Sequence, residues 1–144
     1  MHWWIDARDK PGLLWAFLDH FPQDSRVSFE GDLANVRLSE VPGYSIEETP
    51  ILQRNTLEPR LDFVSIPISV DSIHALKERL SRPGLFDAEG PIVHVQVENS
   101  GQLVLGAYDN FHRDCVVAYE PTPEWFLAQL RDAGVIRGFE LAAE

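Results

Sequence analysis

The sequence predicts an α+β domain: a single, partly antiparallel sheet of about five or six strands, with about three helices packed mainly on one face. Three observations predict it. Short β-rich runs with period-two alternation recur from His2–Ala7 to Cys115–Tyr119. Separate stretches around residues 11–21, 71–80 and 123–133 carry apolar residues at helical spacing. No internal repeat, low-complexity tract or linker interrupts the 144 residues, so residues 1–144 are expected to form one domain.

The chain opens with His2–Ala7, aromatic and bounded by charge, which suggests a strand with Trp3 and Trp4 on opposite faces. Asp9 is a candidate N-cap, and Pro11 fits the first helical turn, where a missing N–H costs little. Leu13, Leu14, Phe17, Leu18 and Phe21 then form a core-facing stripe that Pro22 ends. Arg26–Glu30 alternates, with Val27 and Phe29 on one face and Arg26, Ser28 and Glu30 on the other. Gly31-Asp32 breaks it. Leu33, Val36 and Leu38 show no clear period, and Val41–Pro59 reads as a long loop with some edge pairing.

Leu61–Val70 is the next strand, and Pro67 places it at a sheet edge or ends it. Asp71 is the expected cap of a second helix with Ile73, Leu76 and Leu80 inward, stopped by Pro83-Gly84. In Ile92–Glu98, Val93, Val95 and Val97 share one face while His94, Gln96 and Glu98 share the other. Asn99-Ser100-Gly101 turns the chain into Gln102–Tyr108, and Cys115–Tyr119 adds a third strand to an antiparallel meander. The last helix has Thr122 as expected cap, Pro123 at its first position, Glu124 at the positive dipole end and Gly134 as terminator. Val135, Ile136 and Phe139 leave a short final apolar segment.

Charge narrows the partners. The formal net charge is −11, and the sequence pI is near 4.8. The excess is even: 12 acids and 6 bases in residues 1–72, 11 and 6 in residues 73–144. No cluster of Lys and Arg exists to hold phosphates, so neither nucleic acid nor an anionic membrane is the expected partner. A basic protein is. Cys115 is the only cysteine, which points to a reducing, cytoplasmic compartment. The N-terminus lacks the pattern of a signal peptide, and no apolar run reaches the ~18 residues of a membrane helix.

The polar stretch Asp109-Asn110-Phe111-His112-Arg113-Asp114 lies between two strands and holds the densest set of reactive residue types. Polar loops on a rigid sheet are where binding residues collect. Asp109, Asn110, His112, Arg113 and Asp114 are therefore the expected partner-binding residues, with Phe111 as the anchor of the loop. Trp15 joins them because it lies off the first helix's apolar stripe. An alternative reading makes the chain a small hydrolase or transferase using Asp109, His112, Asp114 and Cys115, since an imidazole within reach can activate a thiol. Cys115 opens an apolar run, however, where cysteine is usually a small buried hydrophobe. The five histidines show no metal-ligand spacing, and no phosphate-cradling or nucleophile-elbow motif occurs. No metal or cofactor is expected.

In size, acidity and low cysteine content the chain is similar to bacterial immunity proteins, which neutralise basic nuclease toxins. The likeness is one of general character, and no residue motif carries it. It implies a non-catalytic protein that meets a basic partner through surface charge. A structural assembly subunit, joined through a strand edge or a Trp-bearing helix, is the remaining reading.

Overall fold

Seven strands form one sheet in the computed structural model, which describes residues 1–143. In chain order the elements are β1 (His2–Ala7), α1 (Lys10–His20), β2 (Ser25–Gly31), β3 (Asp62–Pro67), α2 (Val70–Arg79), β4 (Ile92–Asn99), β5 (Gln102–Ala107), β6 (Val116–Tyr119), α3 (Glu124–Asp132) and β7 (Ile136–Leu141). The spatial order is β3-β2-β4-β5-β6-β1-β7. Every neighbouring pair is antiparallel, so the sheet is wholly rather than partly so. The strand count exceeds the expected five or six because the final apolar segment is a full strand. Its alternation is broken by Gly138 and by a register shift opposite Asp6 and Ala7, which hides it from a period-two reading.

One face of the sheet carries Ile5, Val27, Phe29, Val64, Ile66, Val95, Val97 and Leu105. These join a single buried cluster with Leu13, Leu14, Phe17 and Leu18 of α1, Leu76 of α2, and Phe126, Leu127 and Leu130 of α3. Phe17 meets Phe126 edge-on at 5.3 Å between centroids, which locks α1 to α3. Trp3 is buried on this helix side, while its neighbour Trp4 faces the other way and is 38% exposed.

Two helix caps differ from expectation. Ser69, not Asp71, caps α2: its side chain accepts from the Ser72 N–H, and Ser72 reciprocates to the Ser69 N–H. The capping position of α3 is Pro123, with no side-chain bond, while Thr122 Oγ lies 3.5 Å from the Val104 carbonyl. Asp9 caps α1 as expected, accepting from the Gly12 N–H at 3.0 Å. No helix among the described residues is long and apolar enough to cross a membrane.

The second face of the sheet is divided in two. Over β3, β2 and β4 runs the stretch 45–56, which contains no helix and only one isolated bridge. Its Leu52 is fully buried yet stands outside the helix-side cluster, so it plugs this second face. Over β5, β6 and β1 no comparable stretch lies among the described residues, and Trp4 on this face is 38% exposed.

Candidate binding surface

The covered half is held by polar side chains pointing up from the sheet. Glu30 on β2 is 2% exposed, and its two carboxylate oxygens accept the backbone N–H groups of Asn55 (2.8 Å) and Thr56 (3.1 Å). Gln96 on β4 accepts the Gln53 N–H at 3.1 Å. His94, opposite Glu30 in the β2–β4 ladder, binds Thr56 Oγ1 through Nε2 at 2.7 Å. Its Nδ1 accepts the Asp109 N–H at 3.2 Å, which assigns the proton of the neutral ring to Nε2. A stretch without regular structure must satisfy its backbone elsewhere, and this one does so on sheet side chains.

From His94 a row of rings crosses the sheet to the uncovered half. His94 meets Tyr108 edge-on at 5.7 Å. Tyr108 folds back over Gly106, where an added Cβ would stand 2.6 Å from the phenol oxygen. That oxygen takes a hydrogen bond from Gln96 Nε2 at 3.2 Å. Burial first, then the neighbouring Tyr108, pushes the Tyr119 phenol above its ordinary pKa. His2 lies 5.8 Å from Tyr119, and Trp4 lies edge-on 6.2 Å from His2. The row runs from the buried imidazole of His94, through half-buried Tyr108, Tyr119 and His2, to exposed Trp4. The order β4-β5-β6-β1 assembles it from positions that each lie on the outward phase of their strands.

Beside Trp4 lies a groove of about 710 Å³, lined by Asp6, Arg113, Asp114, Gly138, Glu140 and neighbouring residues of β1 and β7. Asp6 is bonded by Arg137 at 3.3 Å. Gly138 contributes no side chain, and no heavy atom lies within 4 Å of its Cβ position. The groove therefore offers an aromatic wall with three carboxylates, one of them paired with Arg137, and the Arg113 side chain around it.

The residues expected to bind a partner are placed as follows. Arg113 and Asp114 line this groove. His112 is exposed beside Asp114, its Nδ1 accepting the Asp114 N–H at 3.2 Å. Asp109 is exposed, and its carboxylate lies 3.5 Å from the Cys115 thiol. Asn110 is committed inward: Nδ2 donates to the Gly90 and Ile92 carbonyls at 3.1 and 2.9 Å, and its own carbonyl accepts from Lys10 Nζ at 2.9 Å. Those bonds hold three successive left-handed residues, Asp109, Asn110 and Phe111 (φ 52°, 58° and 58°). Phe111 anchors the loop, buried edge-on against Phe86. Trp15 stands apart from the others, half-buried on α1, with Lys77 of α2 5.8 Å from its ring centre.

Around Cys115 the chemistry runs against a nucleophile. Burial, then the neighbouring Asp109 and Asp114 carboxylates, push the thiol pKa up, whereas nucleophilic cysteines need it lowered. Among the described residues, no three of His, Cys, Asp and Glu are grouped closely enough to hold a metal ion.

The aromatic row is what the sequence reading missed. Its signal was present in pieces, in the outward phase that puts His2, Trp4 and Asp6 together, and His94, Gln96 and Glu98 together. Joining the pieces needed the strand order. In comparisons with family models, curated proteins and solved structures, nothing matches the chain.

Proposed function

We propose that this chain is a non-catalytic binding protein that takes a basic protein partner on the open half of its second sheet face. One observation carries the reading: the uncovered row of Tyr108, Tyr119, His2 and Trp4 ends in a groove flanked by Asp6, Asp114 and Glu140. Tyr and Trp are the residues that most often anchor protein interfaces, because they bury a large rigid area at small entropic cost. Carboxylates around them favour Lys or Arg from the partner, including cation–π contact with Trp4. The net charge of −11 would speed encounter with a basic body. A basic toxin of the kind that immunity proteins neutralise would meet this requirement, and the single cysteine fits a cytoplasmic setting.

The test is capture from the native host with the wild-type chain and with Trp4→Ala, followed by a salt titration of the complex. The wild type should retain a basic protein, lose affinity as salt rises, and surrender it on Trp4→Ala. Capture that ignores both salt and Trp4→Ala contradicts the proposal.

A further inference from the structure

The polar loop 109–114 is held at each end by a histidine, and each histidine holds it by accepting a backbone N–H. At the start, His94 Nδ1 accepts the Asp109 N–H at 3.2 Å. At the end, His112 Nδ1 accepts the Asp114 N–H at 3.2 Å. A ring nitrogen accepts only while it carries no proton, so both bonds require a neutral ring protonated at Nε2. Arg113 and Asp114, the two loop residues that line the groove, sit at the second of these bonds. The middle of the loop is fixed differently. The Asn110 N–H donates to the Val93 carbonyl at 2.8 Å, and Lys10 Nζ donates to the Asn110 carbonyl at 2.9 Å.

The two rings differ in surroundings. His94 is 5% exposed, and its Nε2 is bonded to Thr56 Oγ1 at 2.7 Å. The titratable groups facing it are Glu30 from β2, Tyr108 from β5 and Asp109 from the loop itself. His112 is exposed, and the Asp114 carboxylate lies 3.9 Å from the same Nδ1 that accepts the Asp114 N–H. Its other charged neighbours are Arg113, next in the chain, and Asp109, whose carbonyl accepts the His112 N–H at 3.2 Å.

We infer that this loop is a pH-sensitive element of the binding face: protonation of His94 and His112 releases its two ends and shifts Arg113 and Asp114 at the groove. A proton added at Nδ1 turns an acceptor into a donor, which then points at another donor. At His94 the bond from Nε2 to Thr56 survives, so the strap side is kept and only the loop side is released. Glu30, opposite in the ladder, sets a negative charge beside the new positive one. At both ends the residue that loses its N–H bond is an aspartate. Its carboxylate can take the new Nδ1–H in place of the amide, which gives the loop a second arrangement. The effect on affinity rests on the groove being the partner's seat, whereas the release of the loop does not.

Nuclear magnetic resonance of the full chain from about pH 8 to about pH 5, the range in which histidines ordinarily change charge, tests this. The Asp109 and Asp114 amide signals should each follow the protonation of their own histidine ring. Protection of the Asp109 amide from hydrogen exchange, corrected for intrinsic rate, should fall about tenfold or more at the acid end, while that of Asn110 is retained. His94→Gln should abolish the Asp109 response and leave that of Asp114, and His112→Gln should do the reverse. His112 is exposed, so its variant keeps the test open should His94→Gln fail to fold. Affinity for the captured basic partner should fall about fivefold or more across the same range in the wild type, and by clearly less in the double variant. Asp109 and Asp114 amides that hold their positions and protection to about pH 5 overturn the inference, as do responses that survive both substitutions. A loop that responds while partner affinity does not would uphold the switch and contradict the groove as the partner's seat.

Discussion

The two halves of the second sheet face differ in what their polar side chains do. Over β3, β2 and β4, Glu30, Gln96 and His94 spend their hydrogen bonds on the backbone and side chains of residues 53–56, and little of them reaches water. Over β5, β6, β1 and β7, rings of similar chemistry meet one another and end at exposed Trp4. The same strand alternation supplies both sets. What separates them is whether a connection long enough to cover the face happens to follow. The stretch between β2 and β3 spans some thirty residues and returns over the sheet, whereas the β6–α3 connection is short. Side chains under the long connection stabilise the fold, and those left open are available for recognition.

The largest expected effect lies on the covered side. Glu30→Ala removes the buried carboxylate that accepts two part-buried N–H groups and should cost about 2–4 kcal/mol in urea unfolding. A loss below ~1 kcal/mol would mean that water replaces the carboxylate and that the cover is loose. Thr56→Val deletes the hydroxyl bonded to His94 and should cost about 1 kcal/mol. The two losses should fall short of additive, because both act on one strap, and a double-mutant cycle would measure the coupling.

Gly106→Ala links the halves. The new Cβ would displace the Tyr108 ring, the far end of a movable side chain, rather than backbone. Its expected signature is a change in the ring contacts of Tyr108 and a fall in the Tyr119 pKa as Tyr108 moves away, followed by absorbance titration. Stability should move by no more than about 1 kcal/mol.

The smallest effect is a control on the helix side. His20 stacks on Phe126 at 4.2 Å, and burial lowers its pKa from the ordinary value of 6.5. The unfolded chain therefore binds this proton more readily than the folded one. Stability from His20 is complete above the ordinary value and declines as pH falls below it toward the lowered folded pKa. Unfolding curves between neutral and mildly acidic pH should show this decline, and His20→Gln should reduce it.

How much of this was legible in the sequence follows from how local each signal is. α1 announced itself through Asp9, Pro11 and the Leu13–Phe17 spacing, all within one or two turns. Val27, Phe29, Val95 and Val97 identified their inward face by simple alternation. The stretch 45–56 was illegible because its partners, Glu30 and Gln96, are 25 to 43 residues away in the chain. Nothing local marks a loop whose backbone is satisfied by distant side chains. The polar loop 109–114 drew attention by composition, and two of its residues, Arg113 and Asp114, do reach the groove. Asn110, of the same chemical type, is instead the bracket that holds the loop to β4, a role that composition cannot distinguish from binding.

The division of labour between the halves has one most direct test, made on Trp4→Ala in parallel urea unfolding and partner-affinity measurements. Trp4 is 38% exposed and stands outside the buried cluster. The unfolding free energy should change by less than about 1 kcal/mol, while affinity for the captured partner falls by about tenfold or more. A variant that binds as well as the wild type, or one that loses binding only because it unfolds, would contradict the assignment of the open half to recognition.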